Sequence, residues 1–319
     1  MGTRYVGLKL ENTFGSEDIA TEGIIYSEFS ESSLDVANDT ALEYKKGLGR
    51  GTRQIDQGVY VPQGDVTSAV TASLFPYIAY GIGGKYEYAD GKHYFWNTDG
   101  RIAPSYQVHV GKDILEHVFV GATISSLAIS CDKEYAEATA SMVCKKDLVN
   151  GEAKGEAYIA ENCLNEVAIP FSQVTIKIDG EDYTTDRVLN SLSLSIENNA
   201  SAEDGVGLGD IYTKQIQLGE ANATVDFENL FTDDTFLTMF KAGGTHSLEV
   251  KFTDKNDNYI SITYPALYLS KSEQVASGRD IMKQPLSFKA MAGTIQAGTQ
   301  TLNTDFLITV SNGEEKYTF

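Results

Sequence analysis

Four histidines, His93, His109, His117 and His246, sit in strand-like runs of the sequence with no second ligand at a spacing typical of a metal site. Such histidines read as surface or satisfied core residues. The run Asp254 to Asn258, DKNDN, matches the start of a calcium loop, but the sixth position is Tyr259 instead of glycine and the twelfth is Pro265 instead of glutamate. It reads as a hairpin turn. GVGLGD, Gly205 to Asp210, has neither the GxGxxG spacing nor the Lys-Ser/Thr ending of a phosphate loop. No GxSxG elbow is present to expose a nucleophilic serine. The carboxylates are too numerous for any pair to stand out. Trp96, the only tryptophan, reads as a core anchor, with a sugar-stacking platform as the other reading. Cys131, Cys144 and Cys163 are odd in number and lack CxxC spacing, which fits reduced, buried thiols; a bridge between Cys131 and Cys144 across adjacent strands is the alternative. The chain is expected to have no catalytic residue, no cofactor and no metal.

The remaining sequence suits a large, sheet-rich scaffold. At 319 residues, with 42% hydrophobic and 22% charged, the chain can bury a sizeable core and fits two domains. The 18 Tyr and 14 Phe, with Val, Ile and Thr in short alternating runs, lean toward strands. A formal charge of −20 argues against a partner held through phosphates, because nucleic-acid affinity comes mainly from Lys and Arg. The start, MGTRYVGLKLENTFGSEDIA, lacks the apolar core of a secretory signal, and no run approaches the length that spans a bilayer. The expected location is where the chain is made, or outside after lysis.

An echo between the halves organises the chain. The stretch Gly64 to Tyr88 and the stretch Thr232 to Phe252 each read as an apolar helix, a Gly-Gly stop and an alternating strand, with Gly84 and Gly244 set 160 residues apart. In the first helix Val66, Val70, Leu74, Tyr77 and Ile78 share a face, and Pro76 predicts a kink. In the second, Thr232 is the expected N-cap, and SLAIS at 126–130 is echoed by PLSFK at 285–289. The boundaries that follow are an N-terminal arm at 1–60, a first domain at 61–165, a second at 166–295 and a C-terminal strand or extension at 296–319. The arm carries too few apolar residues for its own core, so it orders on another surface or remains partly disordered. The polar, Gly/Ala-rich segment Gly151 to Asn165 reads as the linker. Between Asn198 and Ile211 lies the longest aperiodic loop, the kind that is usually functional or mobile.

This layout resembles the tail tube (major tail) proteins of long-tailed, non-contractile bacteriophages, in the version with a duplicated tube domain. The resemblance covers about residues 1–295 and is carried by RYVGLKLENTFG, RGTRQIDQGVYVPQGDV, PSYQVHV and FVGATISSLAIS, then by SLSLSIENN, TDDTFLTMFKAGG and the LEVKF/ISITYPALYL pair. It implies a mainly β fold of two tandem β-sandwich or barrel domains, each with a flanking α-helix, plus the extended arm. It also implies a structural virion protein, made in the host cytoplasm, that stacks in rings around a negatively lined conduit for DNA, which passes without specific binding.

Partners implied by the resemblance are further copies of the chain, the tape measure and the tail terminator. Three chains would then complete a pseudo-sixfold ring, the competing outcome being a hexamer decorated outside by the second half. Within the long loop, Asn198, Asn199, Glu203, Asp204, Gly205, Gly207, Gly209 and Asp210 are the expected assembly residues, and Asp179, Glu181 and Asp182 the lumen carboxylates. The other function class is a two-domain β-sandwich module that binds carbohydrate or a host surface, from a tail tip or similar.

Overall fold

The computed structural model describes residues 3–29, 31–36, 41–45, 51–185, 187–273 and 282–319. Its first part runs β1 (Thr3–Leu10), β2 (Ile25–Ser27), β3 (Glu31–Ser32), β4 (Asp35–Val36), β5 (Ala41–Tyr44), β6 (Gln54–Gln57) and β7 (Pro62–Ala69), then α1 (Phe75–Gly83). There follow β8 (Gly84–Ala89), β9 (Lys92–Asn97), β10 (Tyr106–Asp113), β11 (Leu115–Cys131), β12 (Glu137–Val143) and β13 (Lys146–Glu152). A short helix, α2 (Glu156–Asn162), leads to β14 (Val174–Ile178), β15 (Glu181–Asp182), β16 (Leu189–Glu197) and β17 (Asn222–Leu230). After α3 (Thr235–Ala242) come β18 (His246–Thr253), β19 (Tyr259–Ser272), β20 (Lys283–Met291), β21 (Gly293–Ala297), β22 (Gln300–Thr304) and β23 (Leu307–Ser311). The chain is mainly β, as its β-branched and aromatic runs require.

Two long strands explain the architecture, because each serves two layers. The first part of β11 pairs with β10 and β13, and its last part with β12. β19 does the same: its first residues lie between β18 and β23, and its last residues pair with β20. The bulges match as well, between Tyr106/Val108 and His246/Leu248, and between Ile124/Ser126 and Leu269/Lys271. A bulge adds a residue and bends a strand, which lets one strand turn from one sheet into the next.

Each half therefore shows one pairing pattern. In the first it is β2-β1-β10-β11-β13 in one layer and β3/β4-β7-β12-β11 in the other. In the second it is β15-β14-β18-β19-β23 and β16-β17-β20-β19. Alternate side chains of both layers, among them Val108, Val110, Leu127 and Ile129 in the first half and Val250, Phe252, Val225 and Phe288 in the second, join one apolar cluster.

The repeat differs in register from the echo read in the sequence. Asp65 faces Ser141 as Asp226 faces Ser287, so the offset near 160 holds up to the helices. Beyond them Tyr106 corresponds to His246, 140 residues on, because the β8–β9 hairpin is an insertion in the first half. The counterpart of β18–β19 is thus β10–β11, not the strand after Gly84. SLAIS lies on β11, whereas PLSFK lies on β20, the counterpart of β12. Similar residues at two Gly-Gly stops hid the insertion.

The helices also needed correction. Val66 and Val70 reach the core from an extended segment, since β7 is held on both sides, and α1 starts only at Phe75. Pro76 stands in its first turn, where its missing N–H is no loss, so no kink is required. Gly84 takes the left-handed conformation (φ 76) and its N–H caps Tyr80 O. At α3 the N-cap is Asp234 rather than Thr232, and Asp233 Oδ1 accepts the Thr235 N–H at 2.9 Å. Within Gly151 to Asn165 stands α2, whose Ile159 packs with Tyr5 and Tyr26.

Of the stretch read as an arm, residues 1–60, β1 pairs along its whole length with β10, and Tyr5, Val6 and Leu8 are buried. The hairpin β5–β6 forms its own two-stranded sheet, exposing Leu42, Tyr44 and Ile55; residues 37–40 and 46–50 of that stretch lie outside the described residues. In the C-terminal part β23 joins β19 to β9, and Phe319 stacks on Tyr80 at 4.2 Å.

Candidate assembly surfaces

The layers β3/β4-β7-β12-β11 and β16-β17-β20-β19, called inner as against the outer layers β2-β1-β10-β11-β13 and β15-β14-β18-β19-β23, join. Ser126 to Cys131 of β11 pair antiparallel with Glu197 to Leu192 of β16, so the run β3/β4-β7-β12-β11-β16-β17-β20-β19 is unbroken. On one face of this run Val66, Leu127, Ile129, Leu194, Val225 and Phe288 enter the core. Period-2 geometry puts their neighbours on the opposite face. These are Asp65 and Thr67, Glu137 and Thr139, Ala128 and Ser130, Ser193, Ser195 and Glu197, Asp226 and Glu228, then Ser287 and Lys289. Thr67 and Thr139 share a hydrogen bond of 2.9 Å across strands, and Lys283 pairs with Glu228 at 2.8 Å. The face is broad and polar, built of short side chains with carboxylates spaced along it.

Asp179, Glu181 and Asp182, the carboxylates expected to face a lumen, lie at the β14–β15 turn and not on this face. Asp179 lies in the β14–β15 turn (φ 52), takes the Ser247 N–H at 2.8 Å and meets His246 Nδ1 at 2.7 Å. Burial pushes its carboxyl up, but the His246 and Ser247 bonds outweigh this and hold it low. Asp182 holds Thr184 in the same turn region, and Glu181 pairs with Ile178. These three shape a turn at the far edge of the outer layer. The acidic residues of this face escaped sequence reasoning because they alternate with apolar residues, as Asp226 does with Val225 and Phe227, and form no local cluster; the signal was the alternation in SLSLSIE and EATASMV.

The long loop is anchored by its own chain. Asn198 is buried, its N–H donates to Ser125 O at 2.7 Å, and Asn199 Nδ2 donates to Glu220 O. Glu203–Gly205 form a 3-10 turn after Ala202, which packs with Ile216, Val61 and Val143. Gly205 is obligatory, since a Cβ there would lie 1.9 Å from Gln215 O. The aperiodic sequence missed this because loop side chains pack on the first half rather than on a neighbouring turn. At the tip, Gly207, Gly209 and Asp210 flank Leu208, whose side chain is wholly exposed.

The family model for phage tail tube proteins matches residues 3–290. The chain belongs to the phage tail tube family. No curated protein sequence matches it. As a tail tube protein it is a structural component of the virion tail, from a structural and not an enzymatic family.

The chemistry-bearing residues of this tail tube protein serve its fold. Asp254 accepts the N–H groups of Asn256 and Asn258, which makes DKNDN a hairpin turn. Cys131 and Cys144 are both free thiols, and burial pushes them up. Trp96 is half-buried in β9. Among the described residues no three of His, Cys, Asp or Glu gather as metal ligands, and no helix is long and apolar enough to cross a membrane.

A buried cluster ties the first outer layer together. Glu116 takes bonds from the Tyr5 hydroxyl and Asn150 Nδ2, with His109 Nδ1 at 3.4 Å. Burial raises the carboxyl, yet the bonds from His109, Tyr5 and Asn150 prevail and bring it down to about 2. The Tyr5 hydroxyl also accepts the Lys154 N–H at 3.0 Å, fixing the approach to α2.

Proposed function

We propose that this chain polymerises into stacked rings whose bore is the polar inner face, and that genome DNA passes along it. The observation that carries this reading is the inner sheet running through both halves: eight strand segments, apolar on the core side and on the other mostly Ser, Thr and carboxylate, with Lys283 and Lys289 on β20. A wall of short polar side chains offers DNA few cations to bind. Its carboxylates repel phosphates over about a Debye length, roughly 8 Å at physiological salt. The chain as a whole, at −20, strengthens that field.

Each half supplies one inner layer, so three chains complete a ring with pseudo-sixfold symmetry. The covalent link through α2 makes half of the junctions intramolecular and reduces the association entropy lost at assembly. Stacking uses what projects from the sandwich: the β5–β6 hairpin and the Leu208 tip, with the rest of the loop from Asn198 to Asp210 as their support. An isolated two-stranded hairpin is marginal in water, so its exposed Leu42 and Ile55 favour contact with the next ring. Tape measure and tail terminator are the further partners, met inside and at the end of the tube during assembly in the host cytoplasm. Electron microscopy of the purified protein tests the reading: long hollow tubes support it, and soluble monomers that bind glycans support the carbohydrate module instead.

A further inference from the structure

The four histidines do not stand alike. Nδ1 of His109, His117 and His246 meets a carboxylate, Glu116 at 3.4 Å, Asp147 at 3.1 Å and Asp179 at 2.7 Å, so a proton on any of these rings is met by an opposite charge. His93 is wholly buried on β9, and its Nδ1 meets the Tyr86 hydroxyl at 3.0 Å instead. That hydroxyl also accepts the Tyr317 N–H at 3.1 Å, which assigns its own hydrogen to Nδ1 and makes the ring the neutral tautomer with its proton on Nε2. Nε2 is buried beside Asn312 and the Glu314 carbonyl and completes a hydrogen bond with neither.

A strap, residues 312–319, closes over this ring. It follows β23 in neither helix nor strand and crosses from the second half to the first. Asn312 Nδ2 donates to Ala72 O and to the Tyr317 hydroxyl, both at 2.8 Å. The Tyr317 ring lies 4.6 Å from His93 and 5.4 Å from Tyr77 of α1, and Phe319 packs 4.9 Å from Tyr86. The strap's bond to β8, from Tyr317 N–H to Tyr86, thus ends on the same oxygen that serves His93.

We propose that residues 312–319 are a pH-operated strap, closed on α1 and β8 while His93 is neutral and released when the ring takes a second proton. A proton on Nδ1 turns an acceptor into a donor against a hydroxyl that already donates to it, and puts a charge among aromatic rings. The groups that face the ring are Tyr86 and Tyr88 from β8, Val310 across the ladder from β23, and Asn312, Glu314 and Tyr317 from the strap. Of these Tyr86 and Tyr317 are pushed up by burial, and the exposed Glu314 carboxylate favours the protonated ring. Burial outweighs Glu314 and Asn312 and holds the imidazole below its usual range. The closed strap therefore binds fewer protons than the open one. Closure is undiminished above about pH 6.5, the ordinary value for histidine, and weakens as pH falls below it, by at most about tenfold per pH unit. Opening uncovers the Tyr77 and Tyr80 rings of α1.

Hydrogen exchange of the intact chain, read by mass spectrometry at about pH 7.5 and about pH 5 and corrected for the intrinsic pH dependence of exchange, tests the strap. At the lower pH, protection of peptides covering 312–319 should fall at least about threefold in the wild type, while peptides of β19 keep theirs. In H93Q, whose amide does not titrate and can still accept from Tyr86, strap protection should be the same at both. Unchanged strap protection in the wild type, or an equal fall in H93Q, overturns the switch. So does a joint loss in the strap and β19, because the acid effect is then unfolding of the sheet. That comparison within the wild type decides the matter even where H93Q does not fold.

Discussion

Asn198 ties the two halves through its side chain as well as its backbone: its Nδ2 donates to the carbonyl of Ile82 at 2.7 Å, so the residue that follows β16 caps the last turn of α1. The amide is buried, and its loss leaves a helix carbonyl without a partner away from water. Asn198→Ala is expected to cost about 1–3 kcal/mol in urea unfolding. Unchanged stability would mean that water replaces the amide at no cost.

Glu116 supplies an acid limit to stability. Its folded-state value, about 2, lies below the ordinary range near 4.5. A carboxylate depressed on folding stabilises above its unfolded value, and that contribution is lost as pH falls through the folded one. Between about pH 4.5 and pH 2 the wild type should therefore lose on the order of 2 kcal/mol more than Glu116→Gln. Glu11 and Glu166, which burial pushes up, act in the opposite direction but are common to both proteins. Parallel pH-unfolding curves for the two would contradict the role of the cluster.

How much of this could be read beforehand depended on the range of each interaction. Local alternation placed β10, β18 and β19, and left-handed glycine geometry placed the stop of α1 at Gly84. β7 was misread as helix because Val66 and Val70 satisfy both periods, and only its partners β12 and β3/β4 decide between them. The residues of the polar inner face were invisible for a related reason. Ser193 and Asp226 become neighbours only through long-range pairing, and no local pattern distinguishes this face from any other wetted one. Asp179 looked available in the sequence and is committed to His246 and Ser247 in the fold.

The loop tip should separate folding from stacking. Leu208→Ser removes an exposed apolar side chain and touches no core residue, so the melting temperature should stay within about 2 °C while tubes shorten or fail to elongate. Gly205→Ala, in contrast, drives a Cβ into Gln215 O and should destabilise by about 2 kcal/mol. Normal tubes from Leu208→Ser would deny the tip a role in stacking.

Charge reversal on the inner face tests the bore. Asp65→Lys, Glu137→Lys and Asp226→Lys each place a cation where DNA would pass, and each can hold a phosphate. Tubes should assemble, while genome ejection slows at low salt and recovers as salt screens the new contacts. The same change at Glu181, in the β14–β15 hairpin, should leave ejection kinetics unaltered. Equal effects at both places would place the bore elsewhere.

The central claim is that both halves line one ring, and a cryo-EM reconstruction of the assembled tube tests it most directly. The account predicts three chains per ring, α1 and α3 at equal radius, and the inner layers of both halves forming the wall of the bore. Six chains per ring, with the second half outside the wall, would contradict it.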